Sequence, residues 1–226
     1  MADGLPVWVV IAAYNEARVI ARVVGEVARR GYHVVVVDDG SSDQTAERAA
    51  GASAVVRHPI NLGQGAALQT GIDYALQQGA ECVVTFDADG QHRAADIERL
   101  VAALRETGAD FALGSRFLGQ TVALPPARRL LLRAATLFTQ LTTGLRLTDT
   151  HNGLRAMTRR GAGAIRLRQN RMAHASEILA QIAASRLPYV EVPVRIEYTA
   201  YSLAKGQRIG DALAILFDLF ARRLYR

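Results

Sequence analysis

Three uninterrupted apolar segments, each of which stops abruptly at polar residues, constrain the fold of this 226-residue chain most strongly. They are Val7–Ile11, Val34–Val37 and Cys82–Phe86, and segments with helical patterns alternate with them. Strands that are apolar at every position are typical of parallel strands covered by helices on both faces. The sequence therefore predicts an α/β fold with a Rossmann-like, mostly parallel sheet flanked by helices.

Each apolar segment is followed by polar and acidic side chains. Ligands of open parallel sheets bind beyond the carboxyl ends of the strands, so these side chains are predicted to converge on one site. A purely structural role for so many carboxylates at one edge is disfavoured by the cost of burying charge, although Ser41 and Ser42 can also cap the following helix. The converging residues are Asn15 and Glu16 after the first segment, Asp38 and Asp39 after the second, and Asp87 and Asp89 after the third.

The stretch Asp87–His92 predicts a metal site. Two carboxylates one residue apart at a strand end, together with the amide of Gln91, form a hard oxygen site suited to Mg²⁺ or Mn²⁺. An isolated Asp-x-Asp pair is also common in solvated turns, but its position after a buried strand favours the metal interpretation here. A divalent ion held in this way usually neutralises a diphosphate. His92 either supports these ligands or is an ordinary surface histidine.

Six motifs occur in an order that resembles the family 2 inverting glycosyltransferases of the dolichol-phosphate-mannose and polyprenyl-phosphate-glucose synthase type. The resemblance covers roughly residues 7 to 205 and implies a single GT-A-like domain. Two positions depart from the family pattern. The family commonly has an aromatic residue where this chain has Leu154, and Lys205–Arg208 varies the usual Gly-Lys-Ser-Lys. The motifs are Ala13–Glu16, Val37–Asp43, Asn61–Ala67, Asp87–His92, Gly114–Phe117 and Asp149–Arg155.

This resemblance implies that the chain transfers a hexose, with inversion, from a GDP-mannose or UDP-glucose type of donor to a polyprenyl phosphate. It implies three sets of site residues. The donor-binding set is Ala13, Asn15, Glu16, Asp38, Asp39, Gly65, Asp87 and Lys205. The catalytic set is Asp89, Arg116, Arg155 and Glu177. The set that holds Mg²⁺ or Mn²⁺ is Asp87, Asp89 and Gln91.

Three other functions are alternatives to this one. A transferase acting on a saccharide hydroxyl would need a base, and Glu177 stands where such relatives carry theirs, although lipid-phosphate relatives also have a Glu there. A non-catalytic nucleotide-sugar-binding scaffold is disfavoured because every expected metal ligand is present. A dinucleotide-binding oxidoreductase is excluded because Leu68 occupies the last glycine position of the G-x-G-x-x-G pattern.

Composition favours one catalytic domain over residues 1–208, followed by an amphipathic, basic helix over 209–226. Half of the residues are hydrophobic, which suffices for one sizeable core. The single cysteine, Cys82, is predicted to be a buried core residue. We find neither a secretory signal nor an apolar run long enough to span a bilayer, and therefore expect a cytoplasmic protein.

The net charge of +6 points to anionic partners. Nucleic acid is excluded because no basic, aromatic-rich binding pattern is present. The segment 126–147 has apolar residues at helical spacing after Arg128 and Arg129, and it is either a core-facing helix or an interfacial one. We expect peripheral attachment to the inner face of the membrane, through anionic lipid or a separate membrane protein.

Overall fold

The computed structural model describes residues 6–122, 126–169 and 174–198. The Lys205 loop and the predicted helix at 209–226 lie outside these residues, so the division at residue 208 stays a prediction. The strands are β1 (Val7–Ala13), β2 (His33–Asp38), β3 (Ala54–Arg57), β4 (Cys82–Thr85), β5 (Phe111–Val122), β6 (Arg155–Thr158) and β7 (Tyr189–Glu197). The helices are α1 (Ile20–Ala28), α2 (Thr45–Arg48), α3 (Gln64–Gln77), α4 (Ala95–Thr107), α5 (Pro126–Thr143), α6 (Arg159–Gly163) and α7 (His174–Ser185).

The seven strands form one sheet in the order β3-β2-β1-β4-β6-β5-β7. Strand β6 runs antiparallel to both of its neighbours, and the other pairs are parallel. The predicted α/β class with a mostly parallel sheet is therefore confirmed. Because β1, β2 and β4 are parallel neighbours, the polar residues that follow each of them leave the sheet at the same edge.

Two apolar cores cover the faces of the sheet. Helix α1 buries Ile20, Val23, Val24 and Val27 on the first face, where α4 also packs, and α3 and α7 pack on the second face. Gly71 lets α3 lie directly on the sheet, because a Cβ atom there would be 2.2 Å from a methyl carbon of Val10. Close packing of this kind fixes where the helix begins, and with it one wall of the site.

Cys82 lies in the first core, as predicted. Burial raises the pKa of its thiol to about 12. A thiol in this environment stays protonated and is a poor nucleophile or metal ligand.

Helix α5 carries an exposed apolar stripe. Leu130, Leu137 and Leu141 are 72%, 57% and 74% exposed, and Ala134 is exposed between them. These four positions lie on one side of the helix because their spacing of three, four and seven residues matches its turn. The interpretation of these residues as a core-facing surface is wrong. Within the described residues, no helix is long and apolar enough to cross a membrane.

Candidate active site

A cavity of about 500 Å³ opens beyond the carboxyl ends of β1, β2 and β4. Segments that are distant in the sequence line it together: the turn after β1, the start of α3, the loop after β4, the loop before β6 and the start of α7. Its charged and amide side chains are Glu16, Asp39, Asn61, Gln64, Asp87, Asp89, Gln91, His92, Arg116, His151, Asn152, Arg155 and His174.

Asp87 is held from two sides. The Nε2–H of His92 donates to its Oδ2 (3.0 Å), and the amide of Gln64 donates to its Oδ1 (3.4 Å). Burial raises the pKa of Asp87, but the hydrogen bond from His92 and the positive charges of His92, Arg155 and His174 outweigh it, so that pKa lies below its usual value. Asp87 is therefore an oriented, ionised carboxylate, and His92 is its support rather than a surface residue.

The loop before β6 packs directly on this carboxylate. A Cβ atom at Gly153 would lie 2.0 Å from Asp87 Oδ2, and the Thr85 hydroxyl donates to the Gly153 carbonyl (2.7 Å). Since no side chain fits at position 153, the loop 149–155 and the Asp87 carboxylate are positioned together.

Asp89 has the opposite electrostatic environment. Burial and the neighbouring charge of Asp87 raise its pKa to about 6, although the Gln91 N–H donates to its Oδ1 (3.0 Å). Two carboxylates held close together at neutral pH repel each other, and a cation between them would remove this repulsion. The pair thus has the electrostatic character of a cation site.

The donor set fits a divalent metal that is shared with a ligand. In the described part of the chain, no three His, Cys, Asp or Glu side chains are grouped so that they could hold a metal ion. Asp87 and Asp89, with the Gln91 side chain on the same cavity wall, leave coordination positions to be filled. Mg²⁺ is commonly bound by one or two carboxylates plus substrate phosphates, and this arrangement suits that mode.

Arg155 is a buried cation that faces the cavity. The residue is 4% exposed, and the described residues offer its guanidinium neither a hydrogen bond nor an ion pair. Burial lowers the pKa of Arg155, while the charges of Asp87 and Asp149 act in the opposite direction. Because an arginine side chain remains charged, this group is poised to bind an anion in the cavity.

Arg116, in contrast, is occupied by the protein itself. Its Nε–H donates to Asp149 Oδ2 (2.6 Å), Nη1 donates to the Tyr198 hydroxyl (2.6 Å), and Nη2 donates to the His151 carbonyl. The Asp149 carboxylate also accepts from the Arg116 backbone N–H (3.0 Å). These contacts tie β5 and the end of β7 to the loop before β6, so they favour a positioning role for Arg116 at the cavity wall.

The two acidic residues after β2 differ in position. Asp39 lines the cavity, and its carboxylate accepts from the N–H groups of Leu62 (2.9 Å) and Gly63 (2.7 Å) and contacts His58 Nδ1 (2.8 Å). It therefore holds the loop that leads into α3. Asp38 is fully buried outside the cavity lining, where it accepts from the Ser41 N–H and pairs with Arg57.

The remaining predicted donor-binding residues divide in the same way. Ala13 and Glu16 line the cavity. Asn15 and Gly65 do not: the Asn15 side chain accepts from the Ser42 N–H (2.9 Å), and Gly65 packs against the Gln169 carbonyl, which would be 2.2 Å from an added Cβ. Both shape the loops around the cavity. Lys205 lies outside the described residues.

Glu177 also lies outside the cavity lining. Its carboxylate accepts from the backbone N–H groups of Arg168 (3.0 and 3.1 Å) and Gln169 (2.8 Å). These bonds fix the segment before α7 and leave the carboxylate engaged with backbone. The structure thus gives Glu177 a local structural task that the sequence does not reveal.

Several cavity residues were not predicted from the sequence. Tyr14 is exposed at the cavity, and His151, Asn152 and His174 contribute to its wall. Burial lowers the pKa of His151 to about 4, so this imidazole is neutral at physiological pH. The motifs Ala13–Glu16 and Asp149–Arg155 contain three of these residues, and that is the signal by which they could have been found.

The Glycosyl transferase family 2 domain matches residues 8–166, and this protein belongs to that family. An uncharacterized protein of Methanocaldococcus jannaschii is 35% identical over 97% of this chain and 93% of its own. A UDP-N-acetylglucosamine–dolichyl-phosphate N-acetylglucosaminyltransferase of Methanococcus voltae is 29% identical over 99% of this chain and 98% of its own. The polyprenol monophosphomannose synthase of Mycolicibacterium smegmatis is 38% identical over 67% of this chain and 61% of its own.

Solved structures show the same fold. Glucosyl-3-phosphoglycerate synthase from Mycobacterium tuberculosis, crystallised with Mn²⁺ and UDP-glucose, has a TM-score of 0.72 at 18% identity and matches 97% of this chain and 79% of its own. Mannosyl-3-phosphoglycerate synthase from Rubrobacter xylanophilus has a TM-score of 0.70 at 19% identity, with 98% and 74% matched. The fold is therefore GT-A-like, as the motif order predicted.

Proposed function

We propose that this protein transfers a hexose, with inversion, from a nucleoside-diphosphate sugar to a polyprenyl phosphate. The observation that carries the proposal is that a carboxylate pair and a buried cation, Arg155, to which the described residues give no ion pair, face the same cavity. The carboxylate pair suits a metal-bound diphosphate, and the Arg155 guanidinium suits a phosphate. Relatives named as dolichyl-phosphate and polyprenol sugar transferases support the same substrate classes.

Asp87, Asp89 and Gln91 would hold Mg²⁺ or Mn²⁺, which when bound supplies Lewis-acid stabilisation of the departing diphosphate. The chain's own contribution is to orient these ligands. His92 and Gln64 fix the Asp87 carboxylate, and the Gln91 N–H fixes that of Asp89. Arg155 would stabilise negative charge on a phosphate in the same cavity, where burial strengthens the interaction.

The nucleoside would bind at the β1 and β2 side of the cavity. Tyr14 offers an exposed aromatic ring at the rim, and Ala12 and Ala13 leave room beside it. Asp39 places Leu62 and Gly63 at this end through its two hydrogen bonds. Stacking on Tyr14 tolerates different bases, so the base and the sugar of the donor are left open by this proposal.

The acceptor is proposed to be a phosphate because each carboxylate that the described residues place at the cavity has another assignment in this proposal. Asp87 and Asp89 are assigned to the metal, Glu16 is assigned to the donor, and Asp39 is bonded to the loop before α3. Glu177, outside the cavity lining, is bonded to backbone. A lipid phosphate is already an anion at neutral pH and requires positioning rather than a general base. A sugar hydroxyl, in contrast, must lose a proton as it attacks.

We expect Glu177→Gln to retain activity within about tenfold of the wild type. The amide oxygen can still accept from the N–H groups of Arg168 and Gln169, so the segment stays in place. The measurement is the initial rate with saturating polyprenyl phosphate across pH 6 to 9.

Asp89→Asn, the same chemical change at the metal pair, is the matched control and should be inactive. A general base contributes about 10² to 10⁴-fold to the rate. If Glu177→Gln lowered the transfer rate by this factor and abolished a pH dependence that the wild type shows at basic pH, the result would instead support a hydroxyl acceptor.

Membrane attachment is proposed to occur through the stripe on α5, from a peripheral position on the cytoplasmic side. The stripe exposes Leu130, Ala134, Leu137 and Leu141, and the exposed side chains of Arg129 and Arg133 lie on the same helix. Leucines flanked by arginines match the composition of helices that lie in the interface of an anionic bilayer. A separate membrane protein is the alternative partner for this stripe.

Replacing both Leu137 and Leu141 with Asp is expected to reduce binding to phosphatidylglycerol vesicles by at least tenfold. Each change removes apolar area that would be buried in the bilayer, and it places a negative charge at the anionic membrane surface. Co-sedimentation measures the effect, and Leu118→Asp, which alters an exposed leucine outside the helix, is the control. Equal binding by all three proteins would refute attachment through α5.

Turnover of a panel of nucleoside-diphosphate sugars with undecaprenyl phosphate tests the proposed reaction. Formation of a polyprenyl-phosphate hexose of inverted configuration is the expected result. Transfer to a saccharide in the absence of lipid would favour the hydroxyl-directed alternative. Tight binding of nucleotide and metal without turnover of any acceptor would favour a non-catalytic nucleotide-sugar-binding protein.

A further inference from the structure

A second cavity, of about 560 Å³, lies between α1 and the segment that links β4 to α4. Arginines from two separate parts of the chain converge on it, and none of them has a role in the candidate active site. We call this cavity the arginine cleft. Its charged side chains are Arg22, Glu26, Arg29, Arg30, Arg93 and Glu197.

The carboxylates of the arginine cleft are already paired. Glu26 pairs with Arg22 at 2.8 Å, one helical turn away. Glu197 accepts from Arg93 through Nε (3.1 Å) and Nη2 (2.8 Å), and it also pairs with Arg195 (3.0 Å). Neither of these two carboxylates pairs with Arg29 or Arg30.

Arg29 and Arg30 carry the excess charge. The described contacts give Arg29 no ion pair, and Arg30 is 4.0 Å from Glu98, at the limit of an ion pair. With four arginines and two glutamates, the cleft has a formal charge of +2. A guanidinium group can bind phosphate oxygens in a bidentate manner, and two of them on one concave surface can contact the same phosphate.

The cleft shares a wall with the candidate active site. Gln91 and His92 line both cavities. The guanidinium of Arg22 lies on the backbone of Gly90, where an added Cβ would be 2.3 Å from Nη2. Because Gly90 has no side chain, the Arg22 guanidinium can pack directly against the loop that carries Asp89 and Gln91.

The position of the cleft indicates a soluble ligand rather than a lipid headgroup. Helices α1 and α4 pack on one face of the sheet. Helix α5, which carries the exposed leucine stripe, packs against α7 on the other face. A membrane that contacts the stripe would therefore lie on the side of the sheet away from the cleft.

We propose that the arginine cleft is a second anion site, which binds the phosphate group of a soluble phosphorylated molecule at the same time as the donor occupies the first cavity. Arg29 and Arg30 would contact the phosphate oxygens. Phosphate binding at this separate site does not depend on the proposed transferase reaction, whereas the choice of a soluble ligand rests on the proposed membrane attachment through α5.

Titration of the full chain with inorganic phosphate, followed by calorimetry, tests the proposal. Saturating nucleoside diphosphate and Mg²⁺ are present throughout to fill the first cavity. The cleft variant is Arg29→Ala with Arg30→Ala. The matched control, Arg105→Ala with Arg160→Ala, removes two exposed arginines elsewhere. We expect one phosphate to bind per wild-type chain, with affinity at least tenfold lower in the cleft variant and unchanged in the control.

A variant with Lys at positions 29 and 30 should bind phosphate more tightly than the Ala variant but less tightly than the wild type. Lysine restores the positive charge but lacks the planar guanidinium that donates two parallel hydrogen bonds. An equal loss of phosphate affinity in the control variant would overturn the proposal, because it would show that phosphate is attracted by the overall positive charge of the protein. Absence of phosphate binding in the wild type would also overturn it. A third arm uses phosphatidylglycerol vesicles: if the cleft variant loses vesicle binding and retains phosphate binding, the soluble-ligand assignment is wrong.

Discussion

Asp89→Asn is expected to lower the rate of hexose transfer by more than about 10²-fold while leaving the protein folded. Burial, together with the neighbouring charge of Asp87, raises the pKa of Asp89 to about 6. Removing one charge weakens the binding of a divalent ion and so withdraws the stabilisation of the departing diphosphate. Single-turnover rates with and without added Mn²⁺ measure the loss.

The same substitution should stabilise the metal-free protein. A carboxyl group whose folded pKa is raised disfavours the folded state once pH rises through that pKa, so wild-type Asp89 costs stability above about pH 6. We expect Asp89→Asn to raise the free energy of unfolding by about 1 to 2 kcal/mol at pH 7, and by little at pH 4.

Thermal melting in EDTA at both pH values measures this difference. Addition of Mn²⁺ should raise the melting temperature of the wild type only. Full activity of the variant, or wild-type activity in EDTA, would contradict the assignment of Asp89 to the metal.

Arg155→Gln is expected to lower the rate by about 10² to 10³-fold, which is typical of removing one group that stabilises developing charge. Its guanidinium is buried without an acidic partner from the described residues, so the main effect is on a bound phosphate rather than on protein contacts. Rates measured against donor and acceptor concentration show whether Arg155 contacts the diphosphate of the donor or the phosphate of the acceptor. The KM of the substrate that it contacts should rise as well.

Arg116→Gln is the matched control for Arg155→Gln. Arg116 donates to Asp149, Tyr198 and the His151 carbonyl, so its loss leaves buried partners unsatisfied and should lower the melting temperature by several degrees. Arg155→Gln should leave the melting temperature unchanged or raise it slightly. Normal activity in Arg155→Gln, or a large loss of its stability, would show that Arg155 is structural.

The sequence was sufficient to predict the sheet and the place of the site, because strands that are apolar at every position can be buried only between two layers of helices. The abrupt change to polar residues after Val37 and Phe86 then marks the edge at which a ligand binds. Asp87 and Asp89 could be predicted for the same reason, since both the strand end and the spacing of the carboxylates are local properties.

Local sequence could not separate Asp38 from Asp39. The two side chains of adjacent residues in an extended segment point in opposite directions, so one faces the cavity and the other faces Arg57. Which of them faces the cavity depends on the packing of β2 between β1 and β3.

The motifs by themselves determined the family, the edge of the sheet at which the candidate site lies and the carboxylate pair. Only the tertiary structure decided how the charged side chains are used. Arg116 and Glu177 are bonded to protein groups, whereas the described residues give the guanidinium of Arg155 no hydrogen bond, although the sequence predicts all three as catalytic residues. The physical reason is that the partner of a charged group is set by contacts between distant segments, such as Arg116 with Asp149 and Asp87 with Gly153, and spacing along the chain does not encode these contacts.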